Sequence, residues 1–182
     1  GHTPELSDSI TRAPGTFLLT VQGIKNFISL GVNTYVIFVM LPQNIATLPQ
    51  FVRFTAKTFG RIPILLSMVT PYALPALSAS LIPTYSEISP NIAAAAETAA
   101  KLKVPISAME EQHRPPDCAP KGARMLMRNL FSPIAAGPAE GFSQTPRCAG
   151  CAAATTCPGL RDYYLRAHGD SELKPLKKKS KK

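Results

Sequence analysis

The sequence predicts a mainly α-helical, membrane-associated fold. It comprises one or two proline-kinked transmembrane helices, an amphipathic interfacial helix and an extended proline-rich C-terminal region. Three observations predict this. From Ile62 to Ile82 there are 21 residues without a charge, and about 20 apolar residues rising 1.5 Å each cross a hydrocarbon core of ~30 Å. Just upstream, aromatic and basic residues recur at helical spacing on different faces. Farther on, the chain becomes rich in Pro, Ala and Gly and loses the apolar periodicity that builds a core. The organisation expected is a polar segment 1–16, a membrane-associated helical region 17–91, and a peripheral region 92–182 with short helices, four cysteines and a lysine tail.

The first 16 residues are polar and punctuated by proline. The chain begins Gly1-His2-Thr3, which reads as a mature chain after removal of a targeting peptide, with an expression scar as the alternative. Phe17 to Leu41 follows as a second apolar stretch. Gln22, Lys25 and Asn26 interrupt it, and its cleaner part, Phe27 to Leu41, has only 15 residues. That length suits a core or interfacial helix as well as a span. Lys25 could lengthen the usable segment by reaching a headgroup. Pro42 ends the helix.

Between the apolar stretches, Thr47 and Gln50 fit a capping box with Pro49 in the first turn. On a helix starting there, Phe51, Phe54 and Phe59 share one face, and Arg53, Lys57 and Arg61 recur every four residues on another. Aromatics opposite a basic stripe describe a helix lying among lipid headgroups. The alternative is an ordinary amphipathic helix packed on protein. In the run Ile62–Ile82, Pro63, Pro71 and Pro75 are tolerated in a bilayer, where neighbouring helices re-satisfy freed carbonyls. The alternative is a buried, proline-broken segment of a soluble protein.

Ser89 and Pro90 can start an alanine-rich helix, with Glu97 and Lys101 spaced for an ion pair. Pro105 ends it. From Val104 to Pro146 prolines recur, and only Gly122 to Ser132 looks like a short amphipathic helix. This composition suits a segment draped over a partner. The net charge is +9, but six lysines (Lys174, Lys177, Lys178, Lys179, Lys181 and Lys182) lie in the last nine residues, leaving +3 elsewhere. The basicity is therefore mostly a tail.

The four cysteines are Cys118, Cys148, Cys151 and Cys157. Two disulfides would staple a segment that lacks its own core, and this use is preferred. A four-thiolate zinc site is the alternative, although zinc usually takes two C-x-x-C pairs and here Cys118 stands alone; His113 or His168 could substitute as a ligand. An iron–sulfur cluster also needs four thiolates, but the spacing matches neither common ferredoxin pattern. A thioredoxin-like role needs a βαβ context that the sequence does not suggest. If both apolar stretches span, the loop with Arg53, Lys57 and Arg61 faces the matrix or cytoplasm and the cysteines face the opposite, oxidising side.

No catalytic constellation emerges. His2, His113 and His168 have no neighbouring nucleophile in a recognisable motif, and no phosphate-binding glycine motif is present. The expectation is a non-enzyme. Arg161 to Arg166 mixes basic and aromatic residues and reads best as an interface anchor. No motif calls for a cofactor; zinc at the cysteines and a bound phospholipid such as cardiolipin are the two groups this chemistry would accept.

Residues Gly23 to Pro90 resemble the membrane segment of the leucine-zipper EF-hand transmembrane proteins of the mitochondrial inner membrane. The resemblance is carried by Gly23-Ile-Lys, the helix Gln50 to Gly60, the step Arg61 to Pro63, and Pro71 followed by Tyr72. That family has an acidic residue where this chain has Leu74, and its ribosome-docking matrix domain has no counterpart here. The resemblance implies mitochondrial inner-membrane residence. It does not imply cation–proton exchange, because Ile62–Ile82 has no ionisable group to relay a proton. The expected function is a non-catalytic accessory subunit of a large inner-membrane assembly, a respiratory complex or ATP synthase, with other subunits and membrane lipid as partners. The alternatives are a mitochondrial ribosomal protein whose lysine tail binds RNA phosphates, and a transport or ribosome-docking relative of the resembled family.

Overall fold

The computed structural model describes residues 1–69, 78–108, 116, 118–120 and 139–177. Two helices come first, α1 (Pro4–Thr11) and α2 (Thr16–Ser29). The Thr3 side chain caps α1 by accepting from the Leu6 N–H, and Pro4 occupies the first turn, where a missing N–H costs nothing. Asp8 then reaches forward from α1. Its carboxylate accepts from the backbone N–H of Gly15 at 2.6 Å and of Phe17 at 3.1 Å, capping α2 and fixing the corner between the helices.

Three strands follow, β1 (Val36–Met40), β2 (Ile64–Met68) and β3 (Ile106–Ala108), all parallel and ordered β1-β2-β3. A 3-10 turn (Ile45–Thr47) and α3 (Leu48–Phe59) connect the first two; α4 (Ser78–Leu81) and α5 (Tyr85–Leu102) precede the third. Each crossover is a βαβ unit. Two strands begin just after a proline. The Pro63 carbonyl accepts from Val36 N–H at 3.0 Å and the Pro105 carbonyl from Ile64 N–H at 2.9 Å. A proline at a strand's entry serves as an acceptor without disrupting the ladder.

These findings correct the predicted fold class. The protein is a mixed α/β structure, and among the described residues no helix is long and apolar enough to cross a membrane. The uncharged run that suggested a kinked transmembrane helix begins instead with β2, whose Ile64, Leu66 and Met68 are buried. A strand in the middle of a parallel sheet is covered by its neighbours and by helices, so it reads as continuous apolar sequence. Residues 70–77 of that run, with Pro71 and Pro75, lie outside the described residues. The second proposed span is also divided. Phe17 to Ser29 belongs to α2, and Val36–Met40 is β1.

The interfacial-helix expectation for α3 is corrected too. Phe51 and Phe59 are buried and Phe54 is half-buried; their rings meet Phe38 and Phe17 at centroid distances of 5.0 Å (Phe51–Phe38) and 5.7 Å (Phe54–Phe17). The aromatic face that would have entered lipid packs on the sheet and α2. Arg53 and Lys57 are exposed on α3, and Arg61 is exposed just past its end. The Thr47 side chain does not form the expected box; its hydroxyl donates to the Asn44 carbonyl. The capping box forms two helices later, where Thr84 and Glu87 cap α5 reciprocally. Helix α5 therefore starts ahead of Ser89, and Pro90 lies inside it. The short helix expected over Gly122 to Ser132 lies outside the described residues.

The described part of the C-terminal region is folded onto this chain's own core rather than extended. Strands β4 (Phe142–Ser143) and β5 (Leu160–Arg161) pair antiparallel, and α6 (Asp162–His168) follows directly. Leu160, Tyr163, Tyr164 and Leu173 join the core that contains Leu66, Met68, Ile88 and Ile92. Burying one such side chain stabilises by roughly 1.5–3 kcal/mol. The proline-rich composition hid a segment that supplies core residues at a few well-separated positions.

Candidate thiolate site

The parallel order fixes where the C-terminal region sits. Helix α5 returns from the carboxyl end of β2 to the amino end of β3, so its first turn marks the carboxyl end of the sheet. Glu172 accepts from the backbone N–H groups of Tyr85 and Ser86 at 3.0 and 3.1 Å, in that first turn. The Tyr164 hydroxyl donates to Glu172 and accepts from Tyr85 N–H at 3.0 Å. His168 donates from Nε2 to the Ile82 carbonyl at 2.7 Å. The C-terminal region is thus held at the edge where α/β sheets bind ligands.

All four cysteines face one narrow cavity there. Its walls also include Pro116, Gln144, Leu160 and Leu173. Each cysteine is partly buried. Two peptide hydrogen bonds sew the parts together. Lys174 N–H donates to the Cys118 carbonyl at 2.9 Å, and Ala152 N–H to the Leu176 carbonyl at 2.9 Å. The segment around 173–176 thereby bridges Cys118 to the loop carrying Cys148, Cys151 and Cys157. Gln144 braces that loop, its side-chain amide donating to the Ala154 and Cys157 carbonyls at 2.6 and 2.7 Å. Arg147 pairs with Asp170 at 3.2 Å on the outside.

Two polar groups address the sulfurs. Gly159 N–H donates to Cys157 Sγ at 3.4 Å, and the Thr145 hydroxyl stands 3.9 Å from Cys148 Sγ. Gly159 has φ +103°, and a Cβ there would lie 2.1 Å from the Ser143 carbonyl oxygen. Only glycine fits between β4 and this turn. Burial, and then the nearby Cys157, Cys151 and Cys148, push the Cys118 thiol up to about 12. The three neighbouring thiols add to the effect of burial because all four cysteines line the same cavity.

No disulfide links any of the four cysteines. Nor do any three His, Cys, Asp or Glu side chains among the described residues already converge on one ion. Of the two substitute ligands considered, His168 is engaged with Ile82 and the Tyr164 ring, at a centroid distance of 5.0 Å, away from the cysteine cavity. His113 lies outside the described residues. The βαβ context that the sequence did not suggest is present, but Cys148 closes a 3-10 turn (Pro146–Cys148) outside those units. None of Arg53, Lys57, Arg61, Phe51, Phe54 and Phe59 lines the cysteines' cavity. Sequence reasoning missed Gln144, Gly159 and Glu172. A glycine two positions after a cysteine was the available signal for Gly159; Glu172 had none.

No family model, curated protein or solved structure matches this chain.

Proposed function

We propose that this chain is a cofactor-bearing α/β module whose four cysteines ligate a metal group at the carboxyl end of its parallel sheet. An iron–sulfur cluster is preferred to zinc. The observation that carries the reading is the meeting of Cys118, Cys148, Cys151 and Cys157 on one cavity, although Cys118 is separated from the others by a long stretch of sequence. The cavity has apolar walls, and Gly159 supplies an N–H to a sulfur, the kind of outer contact that tunes a metal–thiolate centre.

The preference for a cluster rests on two features. A tetrahedral zinc site draws its sulfurs to about 3.8 Å from one another, given Zn–S bonds of about 2.3 Å. Among the described residues no three ligands converge that way. A cluster carries its thiolates on different irons and so accepts wider spacing. The ligands also divide three and one, unlike the two C-x-x-C pairs of most structural zinc sites. The enclosed space is only about 20 Å³, less than a cluster occupies, so binding one requires the cysteine-lined walls to open. Such a group supplies one-electron chemistry.

The accessory-subunit reading drew on a bilayer helix and loses that support. The ribosomal reading drew on the lysine tail, of which 178–182 lie outside the described residues. The test is anaerobic reconstitution with iron and sulfide, in parallel with zinc. A visible charge-transfer absorption with stoichiometric iron and acid-labile sulfide, lost in Cys118→Ser and Cys151→Ser, supports the cluster. Stoichiometric zinc with no iron uptake supports the alternative. Binding of neither, with four thiols paired as disulfides after oxidation, overturns the proposal.

A further inference from the structure

We propose that the groove between α3 and α5 docks an acidic peptide segment of a partner protein. The groove measures about 560 Å³ and is lined by residues of both helices. Arg53 and Lys57 line it from α3, and Lys101 from α5. All three side chains are exposed, and among the described residues no ion pair neutralises them. Glu97 is the single carboxylate in the lining, and its expected pairing with Lys101 is not formed.

The shape and chemistry narrow the occupant. Arg53 and Lys57 are one turn apart, about 6 Å along α3, which matches carboxylates at positions i and i+4 of a helical ligand. Ala56 and Ala94 also line the groove, and their short side chains let a ligand backbone approach closely. No aromatic side chain lines the groove, so it offers no platform for stacking nucleobases. A membrane surface fits poorly as well. The phenylalanines that would anchor α3 in lipid are turned into the core, and a concave channel between two helices does not meet a flat headgroup layer. Charge complementarity of this kind sets association rate and partner choice more than it sets raw affinity.

The test uses the full chain and a fluorescein-labelled, alanine-based helical peptide with Glu at i, i+4 spacing. Anisotropy should report binding that weakens as salt rises. Replacing Arg53→Glu and Lys57→Glu together should weaken it by about tenfold or more, with an unchanged melting temperature because both side chains are exposed. If charge reversal perturbs folding, the Arg53→Gln, Lys57→Gln pair gives the same reading. Replacing Lys174→Gln and Lys177→Gln should change little. Binding that ignores the groove substitutions, or that vanishes with the tail substitutions alone, overturns the proposal. So does tighter, groove-dependent binding of an oligouridylate or of vesicles containing phosphatidylserine, since the groove would then serve a different macromolecule.

Discussion

Tyr85 and Tyr164 stack with ring centroids 4.0 Å apart and planes 11° from parallel, although 79 positions separate them. Tyr85 begins α5 at the carboxyl end of the sheet, and Tyr164 lies on α6 beside the cysteine loop. The Tyr164 hydroxyl accepts from the Tyr85 N–H and donates to Glu172. Burial first, and then the Glu172 hydrogen bond, hold the Tyr164 phenol well above the usual range, so it stays a donor at all ordinary pH. This pair joins the proposed metal end to the scaffold.

Removing the hydroxyl alone tests the joint. Tyr164→Phe keeps the stack but removes one donor from Glu172 and one of the two acceptors of the Tyr85 N–H, which retains its bond to Glu172. Loss of about 1–3 kcal/mol is expected from denaturant unfolding. Tyr164→Ala, which also empties a buried ring site, should cost about 3–5 kcal/mol.

Acid should weaken the same joint. Burial raises the Glu172 carboxyl, but hydrogen bonds from Ser86, Tyr164 and Tyr85 together outweigh it, so its folded value lies below the ordinary 4.5. A depressed carboxylate contributes stability above its unfolded pKa and loses it as pH falls through the folded one. Melting temperatures of the parent chain should therefore fall faster below pH 4.5 than those of Glu172→Gln. Parallel curves would show that Glu172 does not carry the effect.

In the metal-free, reduced protein, Cys118 should be the last of its neighbours to react. Its thiol remains protonated to about pH 12, and alkylation needs the thiolate. Mass spectrometry after timed iodoacetamide treatment at pH 8 should find Cys148 and Cys151 modified before Cys118. Because the folded value is raised from 9.0, stability of this form should decline as pH climbs from 9 towards 12, and Cys118→Ala should flatten that decline.

Gly159→Ala should disable the thiolate end specifically. The added methyl would collide with the Ser143 backbone oxygen in a left-handed turn. The expected result is lost iron or zinc uptake at 25 °C, with the far-ultraviolet signal of α3 and α5 retained. Full metal uptake by this variant would contradict the glycine's assigned role.

The core can be checked against the discarded membrane reading. Leu66→Ala, in a strand where Leu66 is 1% exposed, should destabilise by about 2–5 kcal/mol. Leu19→Ala, 74% exposed on α2, should change stability by less than about 0.5 kcal/mol. Thr55 is fully buried in α3 with an unpartnered hydroxyl, so Thr55→Val should be neutral or stabilising.

Some of this was legible in the residues. The sequence by itself determined the helix over Leu48–Phe59, because Phe51, Arg53, Phe54, Lys57 and Phe59 follow a 3.6-residue period that one chain segment can express alone. It determined that Cys148, Cys151 and Cys157 are near one another, because only a few residues separate them. It also marked Ile64–Met68 as part of an uncharged, apolar run. What it could not determine was the surroundings that bury that segment. A uniformly apolar run is the same string whether lipid or protein covers it, and the pairing of Ile64 with Val36 and Ile106 decided for protein. Tertiary structure likewise decided the role of Cys118. Its approach to the other three depends on Lys174 holding its carbonyl and on Tyr85 meeting Tyr164. Such contacts join residues dozens of positions apart, and local periodicity carries no record of them.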